Sequence, residues 1–296
     1  MPTTNTPFAA MALEMLTHML TFMSMSELLG FSSACKDHRT WVLQYLNRRI
    51  HNSLTVFISS PAALLDTMRF TSAVISGSFA LAMFLPAAAV NWNIADLNIY
   101  TRDIHYNQLV LLLLRDGYKV NYGGYRAAPA NYYNPAVKGI ITLNKGNQSV
   151  EIIISRTDSS IRPIFYFHST VMMNFLTADS LFVAYPRLIS HRRGLTNPLS
   201  RWDSETTRIA VDKYRQRGYT ITDGRYNENH ICEKHVWCTE HTRTTHDKGC
   251  LQLQLDRPNT VTLAAIPRQT QLVVWFFGGK SCRVGAVFAE PYARFC

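Results

Sequence analysis

Gly77-Ser78 stands where an apolar run, Ala73-Val74-Ile75-Ser76, gives way to a helical stretch over 79–84. A glycine at a strand-to-helix junction lets a phosphate approach the backbone, and the helix N-terminus favours the negative charge. Farther on, Asp96-Leu97-Asn98 lies in a segment, 94–101, that alternates like a strand. Side chains two apart on a strand share a face, so Asp96 and Asn98 point the same way. Glu151 sits in another strand-like segment, 150–154. Oxygen ligands of this kind on neighbouring strands can share divalent cations such as Mg²⁺. Three acids beside a phosphate-binding turn would make a two-metal site for in-line phosphoryl or nucleotidyl transfer. No single element is specific, since Gly-Ser pairs are common and Asp-x-Asn occurs in many turns. The plain alternative for Asp96 and Asn98 is a strand-edge pair bonding to nearby backbone.

A second set lies at Cys232, His235, Cys238 and His241, spaced Cys-x-x-His-x-x-Cys-x-x-His, with His230, His246 and Cys250 nearby. Thiolates and imidazoles suit Zn²⁺. The even spacing differs from the two close pairs and long loop of common zinc fingers. On a helix, two or three of these groups could converge, but four drift around the cylinder. Zinc is therefore set against reduced thiols and surface histidines in a loop-rich region.

The elements that must hold these residues follow from periodicity. Ser24 and Glu27 form a capping-box pattern that starts a helix through Leu28, Leu29 and Phe31. Before it, Leu13, Leu16 and Leu20 make a helical stripe beside Met15, Met19 and Met23; after it, a third helix runs through Trp41, Tyr45 and Leu46 to about Asn52. The apolar block 109–114 predicts a buried helix over 105–115. Strands over 140–143 and 150–154 flank Lys145-Gly146-Asn147, a hairpin turn. Helices are expected again over 163–175 and after Pro186. A further helix over 205–217 would turn Ile209, Ala210 and Tyr214 inward. Short strands follow, with 251–255 alternating and 272–277 buried.

Composition bounds the classes. Of the 296 residues, 47% are hydrophobic and 17% charged, which is a packed globular chain and not a disordered one. A net charge of +10 permits polyanion contact. The basic residues are spread thinly, however, with Arg48-Arg49 and His191-Arg192-Arg193 the densest runs, so solvated helix faces explain them equally well. Six cysteines are too few for a disulfide scaffold of this size. The first residues lack a basic stretch and Glu14 interrupts the apolar run behind them, which argues against a signal peptide. The long apolar segment 73–90 contains Ser76-Gly77-Ser78 and Pro86 and suits a strand-turn-helix passage better than a membrane span. A reduced cytoplasmic or nuclear protein, with no membrane contact, is expected.

In order and spacing, Ile75-Ser76-Gly77-Ser78-Phe79-Ala80 and Ala95-Asp96-Leu97-Asn98-Ile99-Tyr100 resemble the nucleotidyltransferase superfamily. Its pattern is Gly-Ser at a helix start, Asp-x-Asp on the next strand and a third acid on a later one. The resemblance implies Asp96, Asn98 and Glu151 as the catalytic positions, Asp96 and Glu151 as Mg²⁺ ligands, and Gly77 and Ser78 on the phosphates. Asn98 stands where the second Asp belongs; its amide oxygen can ligate but carries no charge, so transferase activity should be weak or absent. The segments 167–175, 184–186 and 192–195 look like a group of fungal proteins in which such a core recurs, sometimes beside an F-box.

Residues 11–52 are similar to the F-box: Met11-Ala12-Leu13-Glu14-Met15, Met19-Leu20 with Phe22, Glu27-Leu28-Leu29, Ala34-Cys35-Lys36 and Trp41 follow its order. Ala12 replaces the usual Pro and Trp41 comes late. The resemblance implies that Leu13, Leu16, Leu20, Leu28 and Leu29 meet the Skp-type linker of an SCF ubiquitin ligase. An ordinary helical cap is the alternative.

The expected protein is therefore α+β. A flexible tail over 1–10 precedes a three-helix F-box-like module over 11–52. A nucleotidyltransferase-like mixed sheet with helices follows over 53–200, then a helix and a β-rich extension over 201–296. Three functions stand: an adaptor carrying a degenerate transferase fold, a metal-dependent nucleotidyltransferase, and a non-catalytic nucleotide or nucleic-acid binder.

Overall fold

The capping box at Ser24 forms: the Ser24 hydroxyl accepts from the Glu27 backbone N–H, and the Glu27 carboxylate accepts from the Ser24 N–H at 2.7 Å. The donors that a helix start leaves without partners are thereby satisfied on both sides. In the computed structural model, which describes residues 13–128, 134–197, 205–222, 241–255 and 271–276, this box separates α1 (Leu13–Phe22) from α2 (Met25–Ala34). The third expected helix is α3 (Lys36–Leu54), opened by the Cys35 sulfur accepting from the His38 N–H.

Further helices and an eight-stranded sheet follow. Helix α4 (Pro61–Thr71), absent from the sequence expectations, begins with Pro at its first position, where the missing N–H costs nothing. Strand β1 (Val74–Ser76) turns at Gly77 into α5 (Ser78–Phe84), and β2 (Asp96–Arg102) leads to α6 (Tyr106–Arg115). Then come β3 (Lys119–Ala127), β4 (Val137–Lys145), β5 (Gln148–Ser155), β6 (Asn174–Leu176) and β7 (Ser180–Val183). The hairpin between β4 and β5 closes at Gly146, whose φ of 57° is the left-handed value such a turn requires. Helix α7 (Pro186–Ser190), β8 (Arg193–Leu195), α8 (Glu205–Gln216), β9 (Thr220–Thr222), β10 (Arg243–Thr244), β11 (Leu251–Gln254) and β12 (Val274–Trp275) complete the order.

The sheet runs β11-β7-β6-β1-β2-β5-β4-β3, antiparallel at every pairing except β2 with β5. One face carries Leu97, Ile99, Val150, Ile152 and Ile154 into a core shared with α1 to α6. The other carries Tyr100, Ile153, Phe175 and Phe182 against Ile164, Phe165, Tyr185 and Trp275. The first core is continuous from Leu16 through Leu109 to Leu255. Arg49 of α3 ties the helical module to the sheet domain, donating to the Leu85 and Ala82 carbonyls at the end of α5 (2.7 and 2.6 Å). The sequence boundary near residue 52 therefore has no break in packing beneath it.

Several local expectations change. Helix α6 is buried only through Leu109 and Leu113, while Leu111 and Leu114 face outward, because a run of leucines winds around a helix at about 100° per residue. The stretch 163–175 is not a long helix: short 3-10 turns at Arg162–Tyr166 and Thr170–Met172 precede β6. In α8, Tyr214 and Val211 point inward and Ile209 is exposed. Of the expected strand over 272–277, Val274 and Trp275 form β12 and Leu272 is exposed; residue 277 lies outside the described residues. The apolar segment 73–90 is a strand, a turn and a helix, and among the described residues no helix is long and apolar enough to cross a membrane.

Candidate functional site

Register places the acids. Strand β2 runs parallel to β5 with Asn98 opposite Glu151 and Asp96 opposite Ser149. On its other edge Asn98 is opposite Ser76 of β1, so Gly77 begins the turn directly over it. A Cβ on Gly77 would lie 2.9 Å from Asn98 Nδ2, closer than real Cβ atoms approach. Gly77 also has φ 78° and ψ −153°, a conformation that is essentially glycine's alone. The backbone of the turn and the Asp96/Asn98/Glu151 group thus meet across β1, β2 and β5.

The row continues across the sheet. Thr142 of β4 is opposite Glu151 and hydrogen-bonds it, and Arg126 of β3 donates to the Thr142 hydroxyl at 3.0 Å. Burial raises the Glu151 carboxyl above the ordinary range, and the nearby Asp96 charge raises it further, against smaller lowering by Arg126 and Thr142. Two carboxylates that repel in a partly buried position are a place where a cation is welcome.

Asn98 is already committed. Its amide nitrogen donates to Asp96 Oδ2 at 2.7 Å. A carboxylate only accepts, so the nitrogen must face Asp96, and the carbonyl oxygen remains as the ligating atom of that side chain. The oxygen donors are therefore two carboxylates and one amide, which fits one Mg²⁺ or Mn²⁺ and is poor for two. Among the described residues no three His, Cys, Asp or Glu side chains gather as a metal group.

Ser78 departs from the expectation of an open phosphate contact. It is buried, its Oγ lies 3.0 Å from Tyr214 Oη, and it accepts from an Arg217 Nη at 2.9 Å. Helix α5 has only seven residues, so little macrodipole stands behind the turn. The Arg217 guanidinium lies over the rings of Trp92 (4.7 Å) and Tyr214 (5.1 Å). His168 sits 5.7 Å from the Tyr214 ring and is pushed down to about 4 by burial and then by Lys213, so it is neutral near pH 7. Trp92, Arg126, Thr142 and Arg217 carried no sequence signal. Arg217 is 139 positions from Ser78, and only the docking of α8 joins them.

The other candidates fall elsewhere. Leu16, Leu20 and Leu28 are buried in the common core and Leu29 is partly buried against it; Leu13 opens α1. Among the described side chains of α1, Met15 and Phe22 are left to solvent, 61% and 59% exposed. Of the zinc candidates, Cys232, His235 and Cys238 lie outside the described residues, and His241 is at their edge. Cys250 is a free thiol pushed up to about 12 by burial, with its sulfur accepting from Arg243 at 3.3 Å.

Comparison with known proteins returns no match: no family model, no curated protein and no solved structure corresponds to this chain.

Proposed function

We propose that this chain is a nucleotidyltransferase-like protein that binds a nucleoside triphosphate through one divalent cation and transfers nucleotidyl groups weakly or not at all. The observation that carries the reading is the placement of Asn98. It stands between Asp96 and Glu151, directly under the Gly77 turn, with its nitrogen spent on Asp96. A cation there would take oxygens from Asp96, Glu151 and the Asn98 carbonyl and bring a phosphate chain against the turn. The second ion of a two-metal transfer would lack the charge to hold it, because three carboxylates have become two.

The test is binding and turnover by the full chain. MgATP or MnATP should bind with an affinity that Asp96→Ala reduces by about ten-fold or more, and transfer from labelled nucleoside triphosphates should be near background. Asn98→Asp should raise that background. Binding indifferent to both the cation and Asp96→Ala would refute the reading.

A second reading is the adaptor, in which α1 to α3 act as an F-box-like module toward a Skp-type linker. The observation favouring it is that α1 turns Met15 and Phe22 outward while Leu16 and Leu20 are buried. Co-purification with the linker, lost in the Met15→Asp/Phe22→Asp double variant, would support it. No association with the intact chain would remove it.

A further inference from the structure

We infer that Arg217 is the residue that reads the phosphate chain, exchanging its bond to Ser78 for one to the ligand; this rests on the nucleotide-binding reading above. Three observations place it there. Its guanidinium donates at 2.9 Å to the hydroxyl next to the Gly77 turn. It lies over the Trp92 indole at 4.7 Å and the Tyr214 phenol at 5.1 Å, aromatic contacts that hold a guanidinium without neutralising it. Among the described residues it enters no salt bridge, whereas Arg69, Arg102, Arg208, Arg215 and Arg243 all do.

The chemistry favours exchange. A serine hydroxyl is a neutral acceptor for a guanidinium, and a phosphate group is a charged one whose two oxygens take two parallel N–H donors. Ser78 Oγ, released from Arg217, keeps Tyr214 as a partner; with the Tyr214 hydroxyl donating to it, its own proton can be given to a phosphate oxygen. Tyr214 is the positioning residue: it touches both Ser78 and the Arg217 guanidinium and is itself 3% exposed. Selection then falls on the number of phosphates, since a monophosphate bound through the base end has less charge to offer Arg217 than a triphosphate.

The experiment titrates the full-length protein with MgATP, MgAMP and magnesium tripolyphosphate, read by calorimetry and by the emission of tryptophan, including Trp92 beside Arg217. Arg217→Gln should weaken MgATP and tripolyphosphate by about ten-fold or more and leave MgAMP within about two-fold, and Arg217→Lys should fall between. Wild type and Arg217→Gln binding MgATP alike would overturn this inference and leave the nucleotide reading standing. Wild-type protein binding none of the three would overturn both. Should Arg217→Gln fail to fold, Arg217→Lys, which keeps the charge and loses the paired donors, decides the question through its ratio of MgATP to MgAMP affinity.

Discussion

Gly77→Ala separates backbone strain from crowding at the site. The alanine must adopt φ 78° and ψ −153°, a region that costs a residue with a Cβ about 2 kcal/mol. Its methyl would also sit 2.9 Å from Asn98 Nδ2, so the amide has to swing away. The swing breaks the charge-assisted bond to Asp96, worth about 1.5 kcal/mol. Lower entropy of the unfolded alanine chain returns roughly 0.7 kcal/mol. The net loss is about 3 kcal/mol, which for a chain of this size lowers Tm by about 6 °C. Urea unfolding measures the total, and a cycle with Asn98→Ala measures its parts. With the amide gone there is nothing left to displace, so Gly77→Ala should cost only its backbone share, about 1.5 kcal/mol less than in wild type. A wild-type cost below about 0.5 kcal/mol would refute the turn geometry. Equal costs in both backgrounds would refute the contact with Asn98.

Glu151→Gln should stabilise the cation-free protein: burial and Asp96 raise the carboxyl's pKa in the fold, so its ionised form costs stability above that value and nothing below the ordinary 4.5. The gain, followed by thermal melts across pH, should vanish on acidification and reverse when Mg²⁺ is added. His168, held neutral and pushed down to about 4, works in the opposite direction. Stability is retained above pH 6.5 and lost as pH falls toward 4, and, discounted for partial exposure, His168→Asn should recover about 2 kcal/mol of that loss. Arg49→Gln removes two charged bonds to the end of α5 and should cost about 3 kcal/mol in a single cooperative urea transition. Two separated transitions would mean that the helical module folds independently.

Local chemistry was legible wherever one or two residues decide the backbone. Ser24 with Glu27 announced α2, and Lys145-Gly146-Asn147 announced the β4–β5 hairpin. Asp96, Asn98 and Glu151 could be placed on common faces because strand periodicity is rigid. Strand β3 was not legible: it is an edge strand with a register shift between Val120 and Tyr125 around Gly124, at φ 55°, so no alternation survives. The run Val171-Met172-Met173-Asn174-Phe175 suits helix and strand alike, and tertiary pairing with β1 and β7 settles its end as strand. The stripe that carries Leu16 and Leu20 was legible, but it was assigned with Leu28 to a partner protein, and all three are buried within the chain. An apolar face says that something covers it, and here α3 and residues 87–89 of the chain itself do.

That last point bears on how the two halves relate. An F-box-like module acting alone would keep its apolar stripe for a partner or for a core of its own, whereas α1 to α3 share a core with the sheet and are pinned to α5 by Arg49. The same α5 begins at Ser78, so the helix that α3 holds at one end carries the candidate phosphate contact at the other. Helix α8 then reaches that contact from the opposite end of the sequence through Tyr214 and Arg217. The seven residues of α5 therefore join the N-terminal helices, the acidic row and α8.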